Sequence, residues 1–221
     1  MRKIIVISFV TLDGVLQAPG GPTEDPTKGF KWGGWSAHYG DEQTNEVIGE
    51  IMSAPSDLLL GRRTYEIFAA YWPYQVGHPI AEKFNNSEKF VVSEQQRQLD
   101  WVNSTLISGD VVAGIRELKK QDGPDLVVWG SGGLIQTLLA NELVDKLYVW
   151  TYPVTVGEGK RLFNGGSQAG SWKLLSTKVS GTGVIMAEYE PAGALVTGTV
   201  GGETTPSEAE LARRKRWAEE E

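Results

Sequence analysis

Gly130-Ser131-Gly132-Gly133 is the stretch whose residue types speak most directly of chemistry. It follows the apolar run Leu126-Val127-Val128-Trp129 and opens into Leu134, so a strand passes through small residues into a helix. The first N–H groups of that helix have no partner within it. Glycine lets a pyrophosphate approach the backbone closely, and the helix N-terminus adds a field that favours negative charge. One glycine would serve the dihedrals of such a turn; three glycines and a serine in four positions read as an anion cradle. The Rossmann fingerprint is absent, because Ile135 stands where a third glycine is required.

Two further strand ends carry groups of the same kind. In Leu58-Leu59-Leu60-Gly61-Arg62-Arg63-Thr64-Tyr65, two guanidinium groups and a hydroxyl stand where a strand gives way to a helix. The planar fork of arginine suits a phosphate monoester, and an arginine pair in this position would accommodate the 2′-phosphate that separates NADP from NAD. Phe90-Val91-Val92-Ser93 offers one more hydroxyl for the same phosphate.

The elements that must position these groups follow from periodicity. Short apolar, β-branched runs at residues 4–10, 57–60, 89–92, 125–129 and 146–152 are bounded by Gly, Ser or Pro and read as strands. Helical spacing appears at residues 42–53, 64–70, 111–121 and 134–141. Alternation of the two predicts an α/β fold with a mostly parallel, doubly wound sheet, since parallel neighbours need crossovers and helices supply them. Residues 172–179 and 184–189, joined by Ser180-Gly181-Thr182-Gly183, predict a closing C-terminal antiparallel hairpin. One domain is expected over residues 1–191. Residues 192–221 are expected to form a linker and a short charged C-terminal helix or disordered tail, opened by the capping-box pattern Ser207-Glu208-Ala209-Glu210.

Composition narrows the classes. The chain of 221 residues has no cysteine, which removes disulfides, thiolate metal sites and a cysteine nucleophile. A net charge of −7 repels polyanions, and the basic cluster Arg213-Arg214-Lys215-Arg216 is answered by the acids after it, so no nucleic-acid partner is expected. No apolar run reaches the roughly 18 residues of a membrane span, and cytoplasmic localisation is expected. His38 and His78 lack metal-ligand spacing, so no metal is expected.

Together with Ser8-Phe9-Val10-Thr11-Leu12-Asp13-Gly14, the three strand ends resemble the dihydrofolate reductase-like fold, and within it the riboflavin-biosynthesis reductase (RibD C-terminal) family. The stretch Pro153-Val154-Thr155-Val156-Gly157-Glu158-Gly159-Lys160-Arg161-Leu162-Phe163 is similar at the same relative spacing. The resemblance covers residues 1 to about 191 and implies an NADPH-dependent reductase, commonly a homodimer. It implies that Gly61, Arg62, Arg63, Thr64 and Ser93 hold the adenosine phosphate end, while Gly130, Ser131, Gly132, Gly133 and Leu134 hold the pyrophosphate. The zinc deaminase domain that precedes some relatives needs cysteines, so a stand-alone member is expected.

On the substrate side, dihydrofolate reductases use a carboxylate on the helix after the first strand. The matching region Asp41-Glu42-Gln43-Thr44-Asn45-Glu46 holds three, of which Glu42 and Glu46 share one helix face; Glu42 is the catalytic carboxylate expected there. Asp13 is expected at a strand end facing the cleft, and Trp32 and Trp35 on a glycine-flanked loop are expected to stack on a planar substrate. The function expected is an NADPH-dependent reductase of a small planar heterocycle of pterin, pyrimidine or flavin-precursor type. The alternative is a non-catalytic nucleotide- or heterocycle-binding protein of the same fold.

Overall fold

The computed structural model describes residues 1–95, 98–163, 168–201 and 205–220. Its strands are β1 (Ile4–Thr11), β2 (Ser56–Gly61), β3 (Lys89–Val92), β4 (Ser104–Ile107), β5 (Asp125–Trp129), β6 (Lys146–Tyr152), β7 (Trp172–Val179) and β8 (Ile185–Pro191). They form one sheet in the order β4-β3-β2-β5-β1-β6-β8-β7. The pairs from β4 across to β6 are all parallel, and β8 runs antiparallel to both β6 and β7. The closing hairpin therefore inserts its second strand against β6 and leaves its first at the sheet edge, with a register shift between Leu174 and Ser176.

Helices α1 (Glu42–Ser53), α2 (Arg62–Ala69), α3 (Pro79–Asn86), α4 (Val111–Lys120) and α5 (Gly132–Ala140) cover both faces. Strand alternation decides which residues meet which helix. Leu59, Phe90, Leu126 and Val128 pack with Ile115 and Leu118 of α4 and Ile135 and Leu138 of α5. Leu58, Leu60 and Val91 point the other way, against Tyr65 of α2, Phe84 of α3 and Met52 of α1. Val47, Ile48 and Ile51 of α1 continue that second face over Trp150 and Met186.

The sequence pattern omitted α3 and β4. Helix α3 has only eight residues, opens on Pro79 and buries Ala81 and Phe84 alone, too few for a periodic signal. Strand β4 is a four-residue edge strand with no buried residue, so nothing in its pattern demands a sheet. Helix α5 also begins earlier than its periodicity suggests, taking Gly132 and Gly133 into its first turn.

A buried ion pair levels the strands at their N-terminal ends. Arg2, 4% exposed, pairs with Asp57 at the start of β2 and donates through Nε to the Pro124 carbonyl at 2.5 Å before β5. Asp57 accepts in turn from the Glu88 N–H at 3.0 Å ahead of β3. With these starts tied together, the carboxyl ends of the central strands open side by side. Beyond β8, α6 (Glu208–Ala218) buries none of its residues and is stabilised locally by Glu210 pairing with Arg213 and Arg214. Residues 202–204 and 221 of the expected tail lie outside the described residues.

Candidate ligand cleft

The central strands end in a cleft of ≈ 1420 Å³. This exceeds the roughly 300–1,000 Å³ of a pocket for one small ligand and has room for a dinucleotide beside a second molecule. Gly130, Ser131, Gly132, Gly133 and Leu134 line it together with Gly61, Arg62, Arg63, Thr64 and Ser93. Ten residues separated by up to 73 positions are thus brought to one opening because β2, β3 and β5 are neighbours in the sheet.

The turn after β5 is built for backbone donors. Gly130 has φ +58° and Ser131 has φ +61°, ψ +48°, left-handed conformations immediately before the right-handed helix α5. That alternation of hand turns successive N–H groups into a common concavity, the arrangement that binds anions. Ser131 is a non-glycine residue held in a strained region, as occurs at ligand clamps. Its hydroxyl accepts from the Gly61 N–H at 3.0 Å and so ties the β5 turn to the start of α2. The Oγ does not cap its own helix.

At the neighbouring strand end, the Arg62 guanidinium donates to both oxygens of Glu66 one turn along α2, at 3.2 and 3.0 Å. Arg63 is exposed and makes no ion pair or hydrogen bond with the described residues, leaving its fork available to a ligand. Ser93 is 6% exposed, with a hydroxyl that donates to the Gln95 carbonyl at 3.0 Å.

The opposite wall is apolar. Trp129, the last residue of β5, meets Phe84 of α3 at 6.2 Å between centroids and Phe9 of β1 at 6.4 Å, both edge-on. Phe84 in turn stacks on Phe68 of α2 at 5.7 Å and meets Trp72 at 5.3 Å. All five line the cleft, and so do Ile48 and Met52 of α1. A phosphate cradle and an aromatic wall thus share one cavity, an arrangement able to hold an anionic dinucleotide and a flat ring together.

Among the described residues, one buried side-chain polar atom lining the cleft has no partner. Ser8, 1% exposed, lines it from β1, and its Oγ makes no hydrogen bond. An orphan hydroxyl in a buried position costs on the order of 1–3 kcal/mol unless a ligand satisfies it. Alternation puts Ser8 on the α5 face with Val6 and Val10, the side of the glycine cradle. In the sequence it interrupts the apolar run at residues 4–10 and opens the stretch Ser8 to Gly14 that carries the resemblance.

The remaining expected site residues stand elsewhere. Asp13 does not line the cleft. Its carboxylate accepts from the Thr11 hydroxyl at 2.6 Å and from the N–H groups of Val156 at 3.2 Å and Gly157 at 2.8 Å. Those bonds, the Thr11 hydroxyl first, hold its carboxyl below the usual range against a smaller opposing effect of burial. Asp13 thus fastens the segment 153–163 against the loop after β1, where Val15 also bridges Arg161. Glu42 is exposed at the first turn of α1 and is likewise outside the lining. Its neighbour Asp41 caps α1, accepting from the Thr44 N–H at 2.9 Å and the Thr182 N–H at 3.2 Å. Trp32 is 56% exposed, and Trp35 packs edge-on to Tyr152 at 5.2 Å while its Nε1 donates to the Gln17 carbonyl; neither lines the cleft.

Glu24 and Asp25, on the loop after β1, do line it. Burial raises the Glu24 carboxyl above its ordinary value, only partly offset by the Gly20 and Gly21 N–H groups it accepts from at 2.6 and 3.2 Å. Asp25 is paired with Lys160. Trp72, Phe84, Met52 and Glu24 are absent from the sequence expectations; of the aromatic wall, Trp129 stands immediately before Gly130 and Phe9 lies in the stretch Ser8 to Gly14. Among the described residues, no three His, Asp or Glu side chains are grouped so as to hold a metal, and no helix is long and apolar enough to cross a membrane.

Comparison with known proteins gives one family. The sequence profile of the RibD C-terminal domain matches residues 2–186. The YyaP protein of Bacillus subtilis strain 168 is 27% identical over 197 residues, which are 85% of this chain and 94% of that protein. Among solved structures, a candidate riboflavin biosynthesis protein from Shewanella sp. PV-4 superposes with a TM-score of 0.61 at 18% identity, covering 86% of this chain and 99% of that one. Dihydrofolate reductase from Enterococcus faecalis, solved with NADP(H) and RAB-propyl, gives 0.54 at 17% identity, covering 86% and 96%. The fold is thus the dihydrofolate reductase-like one, a mostly parallel sheet closed by antiparallel strands.

Proposed function

This chain belongs to the RibD C-terminal domain family, and from that premise we propose that it is an NADPH-dependent reductase of a small planar heterocycle of pterin, pyrimidine or flavin-precursor type. The observation that carries the proposal is the junction of two surfaces in one cleft: the left-handed turn at Gly130 and Ser131 opening α5, and the aromatic wall that begins at the adjacent Trp129.

In this assignment the N–H groups of Gly132, Gly133 and Leu134 hold the pyrophosphate, with Gly130 and Ser131 shaping the turn. Gly61, Arg62, Arg63, Thr64 and Ser93 hold the adenosine phosphate end, Arg63 contributing the unengaged guanidinium. The Ser8 hydroxyl gains its missing partner on the same side. Reduced nicotinamide supplies the hydride; the chain's own residues orient the two rings and exclude water. No role falls to Asp13 or Glu42, whose carboxylates are turned to the loop and the solvent. The proposal extends to a homodimer, which sedimentation velocity of the purified protein reads directly, and to a cytoplasmic location, which fractionation of the source cells reads.

The test is thermal stabilisation of the purified protein by NADPH, NADH and flavins, because a ligand that binds only the native state raises the midpoint. A shift selective for NADPH is expected. It should be lost in Arg63→Ala with little change for NADH, since a charged hydrogen bond to phosphate is worth on the order of 1.5–3 kcal/mol. Absence of a shift with every nucleotide overturns the proposal. It would leave the second reading, a heterocycle-binding protein without turnover, which the removal of both expected catalytic carboxylates from the cleft favours.

A further inference from the structure

We propose that the ring-binding half of the cleft selects an uncharged, fused aromatic ring system, held by stacking and apolar contact, and rejects cationic rings of the diaminopyrimidine kind. The inference rests on the preceding reading for one point only, that the phosphate cradle belongs to the cofactor and the aromatic wall to the second ligand.

The wall has a defined composition. Trp129, Phe84, Phe68 and Trp72 form a chain of ring contacts between 5.3 and 6.2 Å, spanning the end of β5 and the α2–α3 region. Trp72, Phe68 and Trp129 are only partly buried although they pack on the core, so apolar surface on a concave wall remains for a ligand to cover. A flat ring gains both area burial and offset or edge-to-face ring contacts there.

Negative charge is missing from this wall. Helix α1 contributes Ile48 and Met52 to the cleft, whereas its acids Glu42, Glu46 and Glu50 are exposed and outside the lining. Glu50 is engaged with Lys178 on the far side of the helix. Among the described residues, the carboxylates lining the cleft are Glu24, Asp25 and Glu94, none of which belongs to α1, α2 or α3. Asp25 already pairs with Lys160, and Glu24 receives two backbone N–H groups on the loop after β1. Ser8, the orphan hydroxyl, faces the other side of the sheet from Phe9 and Trp129.

A protonated ring pressed against Trp72, Phe84 and Met52 would surrender its hydration with no carboxylate to receive its N–H groups, and burial of an unpaired charge is strongly unfavourable. A neutral two- or three-ring system suffers no such penalty and keeps the whole apolar gain. Among the three ring types of the proposed function, the wall therefore favours a neutral, flavin-precursor-like system with carbonyl groups at its edge over a ring that must be protonated to bind.

Isothermal titration of the NADPH-loaded protein with lumichrome, an uncharged three-ring compound, and with 2,4-diaminopteridine tests this. Lumichrome is expected to bind at least tenfold tighter. Trp72→Ala should weaken lumichrome tenfold or more, with Met52→Ala as a milder variant if the first lowers the thermal midpoint. Ile48→Asp, which supplies the missing carboxylate, should reverse the preference. Equal or tighter binding of diaminopteridine by the unaltered protein overturns the inference, and so does lumichrome binding that is undetectable or indifferent to both wall variants. NADPH titrated alone reads the proposed function separately. If NADPH fails to bind, the cofactor assignment falls while the lumichrome preference, repeated on cofactor-free protein, still judges the wall.

Discussion

Gly133→Ala should make the protein more stable and the proposed NADPH binding weaker, and the two effects come from one methyl group. Gly133 is the second residue of α5, with no positive φ, and a Cβ built on it meets no atom within 4 Å. The folded chain therefore accommodates alanine without strain. Replacing glycine by alanine in a helix is worth about 0.5–1 kcal/mol, which for a protein of this size is a rise in thermal midpoint of about 1–4 °C. Gly133 lines the cleft, so in the proposed complex the methyl is added to the wall a phosphate must approach. Where a phosphate must approach the backbone, that added group acts as overpacking, costing about 1–3 kcal/mol, or about 5- to 150-fold in NADPH affinity. Gly130→Ala is the control. Its Cβ also meets nothing, but φ is +58°, so alanine there loses stability by about 1–2 kcal/mol. Differential scanning fluorimetry reads the midpoint and calorimetric titration reads the affinity. Undiminished NADPH binding by Gly133→Ala would refute the cradle, and a lowered midpoint would refute the helix geometry.

Three other outcomes follow from the same structure. Gly159→Ala should cost about 2–3 kcal/mol or more in urea unfolding, because at φ +124° its Cβ would stand 2.8 Å from Val15 Cγ1 and 2.9 Å from Phe30 Cε2 in the packed strap. Asp13→Asn should destabilise at neutral pH and become equal to the parent in acid. The Asp13 carboxyl is held below its ordinary value by the Thr11 hydroxyl and then by the Gly157 and Val156 N–H groups, so its contribution is present above the unfolded value and lost as pH falls through the folded one. A constant difference in unfolding free energy from neutral pH down to about pH 2 would contradict this. Lys89, fully buried with Nζ donating to the carbonyls of Phe84, Asn85 and Ser87, is pushed down to about 8 by burial. Between about pH 8 and pH 10.5 only the unfolded chain keeps that proton, so stability relative to Lys89→Met should rise with pH, by on the order of 3 kcal/mol. A flat difference across that window would count against it.

How far the sequence reaches depends on what each element leaves in it. The strands that became β1, β2 and β5 are legible because each is apolar over most of its length, as central parallel strands buried on both faces must be, and β3 and β6 because their short runs are rich in β-branched and aromatic residues. Edge strand β4 and the short α3 bury too little to write a period, although α3 supplies Phe84 to the cleft. The lining proposed for the cofactor is legible as a set of strand ends: Gly61 to Thr64, Ser93 and Gly130 to Leu134 all reach one cleft, at the end of the sheet where an open α/β fold presents ligands. The wall proposed for a second ligand is not, because acids near a helix start serve equally as caps. Asp41 is such a cap, and Glu42 beside it faces solvent.

What the sequence determined by itself is the set of parts: strands and helices in alternation, a glycine-rich turn after β5, two arginines after β2 and an aromatic residue ahead of the turn. Local chemistry is enough for these, since glycine at a strand end and apolar runs act over a few residues. Tertiary structure alone decided which parts meet. The strand order puts β2 beside β5 and brings Gly61 within a hydrogen bond of Ser131 across 70 positions of sequence. The alternation of side chains about the sheet sends Ser8 to one face and Phe9 to the other. The carboxylate of Asp13 is claimed by a loop 143 residues away, and an aromatic wall assembles from β1, β5, α2, α3 and the turn between the two helices. Contacts of that kind are fixed by long-range packing, and long-range packing has no local period for a sequence to display.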